Sequence, residues 1–250
     1  RALGEIGDKE TDYVLLDASE NEDGHVRKNA ISAIGRVGDR TVLTKLLELL
    51  EKEVYKDVME EIIKAINTID ITVLQQKLGT FKPSIRELIA RHTKDIDTLD
   101  TLSSDPDLNV RLSAISTLGR INNERAVEIL KGFLQDKNAQ VRKTALMSLQ
   151  DKRCCIEDIL PMLDDVDLWV RIYAVKALGN SLDLKVAEKI KGLLSSPEIP
   201  LVSVAMDALH QIASYHKIDT REVFKSLSEH KVPSIKNRAK EMLRIYESTK

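Results

Sequence analysis

Residues 105–119 read DPDLNVRLSAISTLG, and the same pattern returns as DKNAQVRKTALMSLQ at 136–150 and as DVDLWVRIYAVKALG at 165–179. Each copy begins with Asp, has Val-Arg five and six residues later, and continues with Ala and Leu at spacings of four. A fourth copy, NEDGHVRKNAISAIG at 21–35, has Asn21 in the first position. Because internal repeats of about 30 residues are typical of stacked helical arrays, this pattern decides the fold class.

Weaker copies fill the rest of the chain. We call the Val at the sixth position of a copy its anchor, and we give the same name to the equivalent apolar residue of each weaker copy. The anchors lie 25 to 34 residues apart and are Val26, Val58, Ile85, Val110, Val141, Val170, Leu201 and Ile235. Residues 1–8, RALGEIGD, echo the end of a copy, which predicts a partial repeat there whose start is missing.

Each copy predicts a helical hairpin. The anchor and the residues four and eight positions later share one helical stripe, and an apolar residue at +5 widens this stripe into a core-facing surface. An earlier apolar segment, such as AVEILKGFL at 126–134, predicts a first helix (helix A), and the copy itself predicts the second (helix B). Gly35, Gly119 and Gly179 follow the stripe where a C-capping glycine is expected. One hairpin cannot bury its own apolar face, so the hairpins must stack.

The D-x-x-x-x-V-R-x-x-A-x-x-x-L-G units resemble the short HEAT repeats of bacteria and archaea, which also occur in phycobilisome lyase subunits. The resemblance covers essentially the whole chain. It implies an all-α fold, an α-α superhelix (HEAT-repeat solenoid) of about eight helical hairpins over residues 1–250. After the partial repeat at 1–8, the expected repeats lie at about 9–38, 39–70, 71–94, 95–122, 123–152, 153–182, 183–214 and 215–250.

The resemblance also implies a role for the acidic and basic residues of the pattern. In similar proteins an Asp and an Arg six residues apart build a ladder between stacked repeats, with the Asp near the N-terminus of helix B. The ladder residues implied here are Asp105 with Arg111, Asp136 with Arg142, Asp165 with Arg171, and Arg27. The alternative is a row of arginines that binds phosphate or carboxylate ligands, which requires guanidinium groups without protein partners.

Composition argues against several classes of protein. The chain has 38 Lys and Arg against 40 Asp and Glu, so it lacks the basic excess of a nucleic-acid binder. No apolar stretch approaches the roughly 18 residues of a membrane helix. Cys154 and Cys155 are adjacent, and neighbouring cysteines rarely form a disulfide. We therefore expect a reducing, cytoplasmic location and a core-filling role for both cysteines at the start of a helix A.

The sequence shows no pattern for catalysis, a metal or a cofactor. It has no G-x-S-x-G motif and no glycine-rich phosphate loop, and its five histidines are dispersed. The deoxyhypusine hydroxylases, an iron enzyme family with HEAT-like repeats, use His-Glu pairs, and this sequence has no His-Glu dipeptide. We predict no catalytic, metal-binding or cofactor-binding residue. A bilin lyase subunit, or a lyase-like chaperone of a chromophore protein, is the alternative, and it rests on the resemblance alone.

Helix B offers the surface for a partner. In the fold that the resemblance implies, B helices line the concave side, and their residues at +2, +3 and +6 from the anchor lie outside the core stripe. These residues are mostly polar in the first three full repeats and turn apolar from the fourth. We predict a partner-binding patch formed by Trp169, Ile172, Tyr173, Met147, Val204 and Leu112, with flanking charge from Lys143 and Lys176. The alternative for Trp169 is packing in the core.

The predicted function is therefore non-catalytic. We expect a scaffold that binds an unidentified protein partner and that forms part of a longer protein. The chain is expected to be a monomer, with end-to-end dimerisation through the open N-terminal partial repeat as the alternative.

Overall fold

The computed structural model describes residues 9–152 and 154–248, and this part of the chain is all α, which confirms the predicted fold class. The helices are α1 (Lys9–Ala18), α2 (Gly24–Val37), α3 (Leu43–Lys52), α4 (Lys56–Asp70), α5 (Thr72–Lys77), α6 (Pro83–His92), α7 (Ile96–Ser103), α8 (Leu108–Arg120), α9 (Glu124–Gly132), α10 (Ala139–Leu149), α11 (Ile156–Ile159), α12 (Leu168–Ser181), α13 (Ala187–Gly192), α14 (Ile199–His216), α15 (Arg221–Leu227) and α16 (Pro233–Ser248). None of these described helices is long and apolar enough to cross a membrane. The partial repeat predicted at 1–8, through which the alternative dimer contact would form, lies outside the described residues.

The sixteen described helices form eight consecutive hairpins, in which each odd-numbered helix is an A helix and each even-numbered helix is a B helix. Two polar residues precede helix B in the copies at 105–119, 136–150 and 165–179, which we call the strong copies. The Asp105 carboxylate accepts the backbone N–H of Asp107 at 2.8 Å, and Asp107 caps α8 by accepting the N–H of Asn109 at 2.9 Å. Asp136 with Asn138, and Asp165 with Asp167, repeat this arrangement. The helix cap is thus the residue at −3 from the anchor, and the first Asp of the copy positions it.

The stripe predicted from the sequence lines the core. In α8, Val110 and the residues at +4, +5 and +8 are fully buried, and the equivalent residues of α12 are buried equally well. The anchor of α2, Val26, is exposed and departs from this rule. Contacts divide the chain into two units, with the boundary between Ile121 and Asn122. Unit 1 contains α1–α8 and unit 2 contains α9–α16, and within each unit every B helix packs against the next B helix.

The prediction that Gly35, Gly119 and Gly179 are C-caps is wrong, because all three lie inside the last turn of their B helices. Two of them permit close contact between neighbouring B helices. A Cβ atom added to Gly35 would lie 3.0 Å from both the Cα and the Cβ of Ala65 in α4. One added to Gly179 would lie 2.7 Å from the Cβ of Ala208 in α14. The missing side chain, and not a left-handed backbone, is the reason for glycine at these positions.

Candidate protein interface

Two arginines of unit 2 each bind an acidic residue of the next hairpin. Arg142 on α10 donates from Nε and Nη2 to the two carboxylate oxygens of Asp165, each at 2.7 Å. Arg171 on α12 donates from Nη2 to Glu198 at 2.7 Å. The side chains of Arg142 and Asp165 are nearly buried, whereas Glu198 is about one-third exposed. A bidentate pair of this kind fixes the geometry of both partners, so it holds adjacent hairpins in register.

Unit 1 contains two similar pairs. Arg86 on α6 donates to the two carboxylate oxygens of Asp105 at 2.6 and 2.9 Å. Arg27 on α2 donates to Glu53 at 2.9 and 3.0 Å. All four side chains are mostly buried. We call the four arginine–carboxylate pairs of the two units the ladder.

In each predicted Asp–Arg pair, the side chain of the Arg donates to the backbone carbonyl oxygen of the Asp and not to its carboxylate. Nη1 of Arg142 donates to the carbonyl oxygen of Asp136 at 2.8 Å. Nη1 of Arg171 does the same to the carbonyl oxygen of Asp165 at 2.7 Å, and Arg111 to that of Asp105 at 2.8 Å. Arg142 and Arg171 therefore hold their own turn and the next hairpin together. Their donors are engaged inside the protein, which favours the structural role over ligand binding.

The ladder keeps its carboxylates ionised. Burial raises the pKa of Asp165, but hydrogen bonds from Arg142 and from the backbone N–H of Asp167 outweigh burial and bring this pKa below its usual value. The same balance lowers the pKa of Asp105, with Arg86 as the main partner. Both groups therefore favour the folded state when they are charged.

The sequence analysis did not assign Arg86, Glu53 or Glu198 to the ladder, although Glu53 and Arg86 occupy the positions of the acidic residue and the arginine in the repeated pattern. Glu53 lies five residues before the anchor Val58, in the position that Asp occupies in the strong copies. Arg86 directly follows the anchor Ile85. Glu198 lies at −3, where the strong copies have their helix cap, and the hydroxyl of Ser196 at −5 donates to it. This hydrogen bond is the main cause of the lowered pKa of Glu198.

Unit 2 exposes large apolar side chains on two neighbouring B helices. Trp169 at the start of α12 is 58% exposed, and Met147 on α10 is 48% exposed. Tyr173, one turn after Trp169, is half-buried, and the ammonium group of Lys176 lies 4.9 Å from the centre of its ring. Lys143 on α10 is half-buried. We call Lys143, Met147, Trp169, Tyr173 and Lys176 the aromatic face.

Ile172 does not belong to this face, and the prediction that it points outward is wrong. It is only 2% exposed, because it shares a stripe of α12 with Gly179, seven residues later, where α12 closely approaches α14. Val204 is half-buried on α14. Leu112 is half-buried on α8 in unit 1, so the aromatic face of unit 2 does not include it. Val166, in the turn before α12, is 93% exposed, and the helical pattern did not indicate it because that pattern does not extend into turns.

The equivalent face of unit 1 is formed by ion pairs. On α2 and α4, the Nζ of Lys28 lies 3.2 Å from the Asp57 carboxylate, and the Nζ of Lys64 lies 3.4 Å from Glu61. Lys28 and Lys64 occupy the +2 and +6 positions that Lys143 and Lys176 occupy on α10 and α12. Asp57 and Glu61 occupy the −1 and +3 positions of Trp169 and Tyr173. In unit 2, therefore, two aromatic side chains stand where unit 1 has two carboxylates.

Comparison with known proteins identifies the family. The family model for HEAT repeats matches residues 1–67 and 83–151. The chain belongs to the HEAT-repeat family. No curated protein matches the sequence. Among solved structures, this HEAT-repeat chain is similar to an engineered protein, with 19% sequence identity over 98% of this chain and 70% of the other and a TM-score of 0.46. It is also similar to human deoxyhypusine hydroxylase, with 16% identity over 85% of this chain and 88% of the other and a TM-score of 0.45. A designed armadillo repeat protein is similar as well, with 17% identity over 80% of this chain and 98% of the other and a TM-score of 0.39. These low identities and scores support no functional argument.

The cysteines of this HEAT-repeat chain differ from the core filler predicted for them. Cys154 and Cys155 are both half-exposed, because they lie in the loop before α11. Cys155 has a left-handed backbone, with φ of 64°. Burial raises the pKa of Cys155 to about 12, with a further contribution from Cys154, so this thiol is protonated at neutral pH. A protonated thiol is a poor nucleophile.

A cavity of about 480 Å³ lies between the ends of α14 and α16. His210 lines it, and burial lowers the pKa of this histidine. Two polar side chains of the cavity have partners, because Arg221 donates to Asp219 and Tyr246 shares a hydrogen bond with Thr220. Within the described residues, no group of three or more His, Cys, Asp and Glu side chains is placed to hold a metal ion.

Proposed function

We propose that this chain is a non-catalytic scaffold that recognises a protein partner through the aromatic face of unit 2. The observation that carries the proposal is the exposure of Trp169 and Met147 on neighbouring B helices, with Tyr173 one turn after Trp169. Burying such side chains against a partner gains free energy in proportion to the apolar area removed from water. Trp and Tyr are also the residue types most enriched among binding hot spots.

The ladder supports this proposal by making the face rigid. Arg142 ties α10 to the start of α12 through Asp165, and Arg171 ties α12 to the start of α14 through Glu198. The two helices that carry the aromatic face are thereby held in a fixed register. A preorganised surface loses less conformational entropy when a partner binds.

The test compares three forms of the chain as baits for a cell lysate, with bound proteins quantified by mass spectrometry. The forms are the wild type, the double variant Trp169→Ala/Tyr173→Ala, and the control Asp57→Ala/Glu61→Ala, which changes the same −1 and +3 positions in unit 1. We expect a protein that the wild type and the control retain and that the aromatic variant loses by at least about tenfold, because truncating a hot spot costs about 2 kcal/mol or more.

Circular dichroism must first show equal helix content in the three forms. If the aromatic variant retains every protein that the wild type retains, the aromatic face is not the recognition surface. The cytoplasmic location stays a prediction. The bilin lyase alternative also stays a prediction, and no arrangement of side chains in the described residues favours it.

A further inference from the structure

The aromatic face carries two lysines, Lys143 and Lys176. Among the described residues, neither Lys143 nor Lys176 forms an ion pair, and the ammonium group of Lys176 lies over the ring of Tyr173. The one acidic residue of α14, Asp207, is already bound by Arg238 at 2.7 Å. A cation–π contact positions an ammonium group without neutralising its charge. The aromatic face therefore presents two positive charges beside exposed apolar surface.

The comparison with unit 1 shows what kind of group is missing. There, carboxylates on α4 neutralise the lysines at +2 and +6, and these carboxylates lie four residues apart, at Asp57 and Glu61. In unit 2 these two positions hold Trp169 and Tyr173, while both lysines remain. Unit 2 therefore has both lysines of unit 1, but it has aromatic side chains in place of the two carboxylates.

We infer that the partner supplies the two missing carboxylates, and this inference rests on the proposed function. The partner segment is an extended acidic peptide with a large apolar side chain between two Asp or Glu residues. The apolar side chain packs on Trp169 and Tyr173, which lie one turn apart on α12, and the carboxylates bind Lys143 and Lys176. Electrostatic complementarity of this kind selects partners and accelerates association.

The spacing of the two carboxylates follows from helix geometry. Side chains four residues apart on a helix lie about 5–6 Å from each other, which is the separation of the two acidic positions in unit 1. Helix axes in contact lie about 8–10 Å apart, and the four positions from +2 to +6 add about 6 Å along the helix, so Lys143 and Lys176 are attached about 12 Å apart. An extended chain advances about 3.3 Å per residue, so the two acidic residues of the peptide are about two to four positions apart.

A selection with random 12-residue peptides displayed on phage tests the inference. Phage are selected on the wild-type chain after depletion on Trp169→Ala/Tyr173→Ala, and the enriched peptides are then synthesised and titrated. We expect two acidic residues, two to four positions apart, around an aromatic or large aliphatic residue. Lys143→Glu/Lys176→Glu should weaken these peptides about tenfold or more, and raised salt should weaken them as well.

The matched control is Lys28→Glu/Lys64→Glu, which reverses the same +2 and +6 positions in unit 1 and should leave peptide binding unchanged. Peptides that depend on Trp169 and Tyr173 but lack acidic residues, or that bind equally well after the charge reversal in unit 2, would overturn the inference and leave the proposed function standing. If no enriched peptide depends on the two aromatic residues, both the inference and the proposed function fail.

Discussion

The two units have the same internal scaffold and different surfaces. In each unit, arginines of the B helices bind acidic residues of the next hairpin, and a glycine lets two B helices approach closely. On the outer positions of paired B helices, however, unit 1 has the ion-paired set Lys28, Asp57, Glu61 and Lys64, and unit 2 has Lys143, Trp169, Tyr173 and Lys176. The difference teaches that the −1 and +3 positions can change from ion-paired carboxylates to aromatic side chains while the supporting contacts remain.

The largest effect on the free energy of unfolding is expected from the ladder, which should stabilise both units by similar amounts. Asp165→Ala in unit 2 and Asp105→Ala in unit 1 each leave a mostly buried arginine without its carboxylate, and each should lower the free energy of unfolding by about 3 kcal/mol at pH 7. Urea unfolding followed by circular dichroism measures both values. The exposed pair variant Asp57→Ala should change stability by less than about 1 kcal/mol.

The same variants predict a pH dependence. The pKa of Asp165 and that of Asp105 are lower in the folded state than in the unfolded state. Their stabilisation is therefore present above the unfolded pKa of about 3.9 and is lost as the pH falls through the folded pKa. The difference between wild type and either variant should shrink below about pH 4. A difference that stays constant down to pH 2 would show that the carboxylate charge is not the cause.

A smaller effect is expected from the two glycines. Gly179→Ala and Gly35→Ala should each destabilise the chain by about 2 kcal/mol, because the new Cβ atom forces two B helices apart. Adding Ala208→Gly to Gly179→Ala should restore most of the stability, since the shortest contact is with the Cβ of Ala208. Adding Ala65→Gly to Gly35→Ala should restore less, because the Cα of Ala65 still lies 3.0 Å away. Equal rescue in both units would contradict this reading of the contacts.

The smallest effect on stability, and the most direct test of the comparison, is expected from Trp169→Asp/Tyr173→Glu. This variant rebuilds in unit 2 the charge pattern of unit 1. Because both positions are at least partly exposed and two lysines lie nearby, the free energy of unfolding should change by less than about 1 kcal/mol. Binding of the selected peptides should be lost. If the variant still binds them with wild-type affinity, the two faces do not differ in the way proposed.

The sequence predicts the scaffold better than the surface. The copies at 105–119, 136–150 and 165–179 are enough to predict the helices, their pairing and the buried stripe, because these follow from the spacing of apolar residues along one helix. The exposure of Trp169 was left open by the sequence, since its position fits either the core or a face. Ile172 was placed on the wrong side, because its burial depends on how closely α14 approaches.

The amino-acid sequence by itself determined the repeat and the all-α fold, since both follow from the spacing of apolar residues along the chain. Only the tertiary structure decided that Arg142 binds the carboxylate of the following hairpin, that Gly179 is a contact glycine and not a helix cap, and that Lys143 and Lys176 find no acidic partner in the part of the chain that the structure describes. The physical reason is the same in each case. These properties depend on the distance between side chains of neighbouring helices, and a pattern read along one helix does not contain that distance.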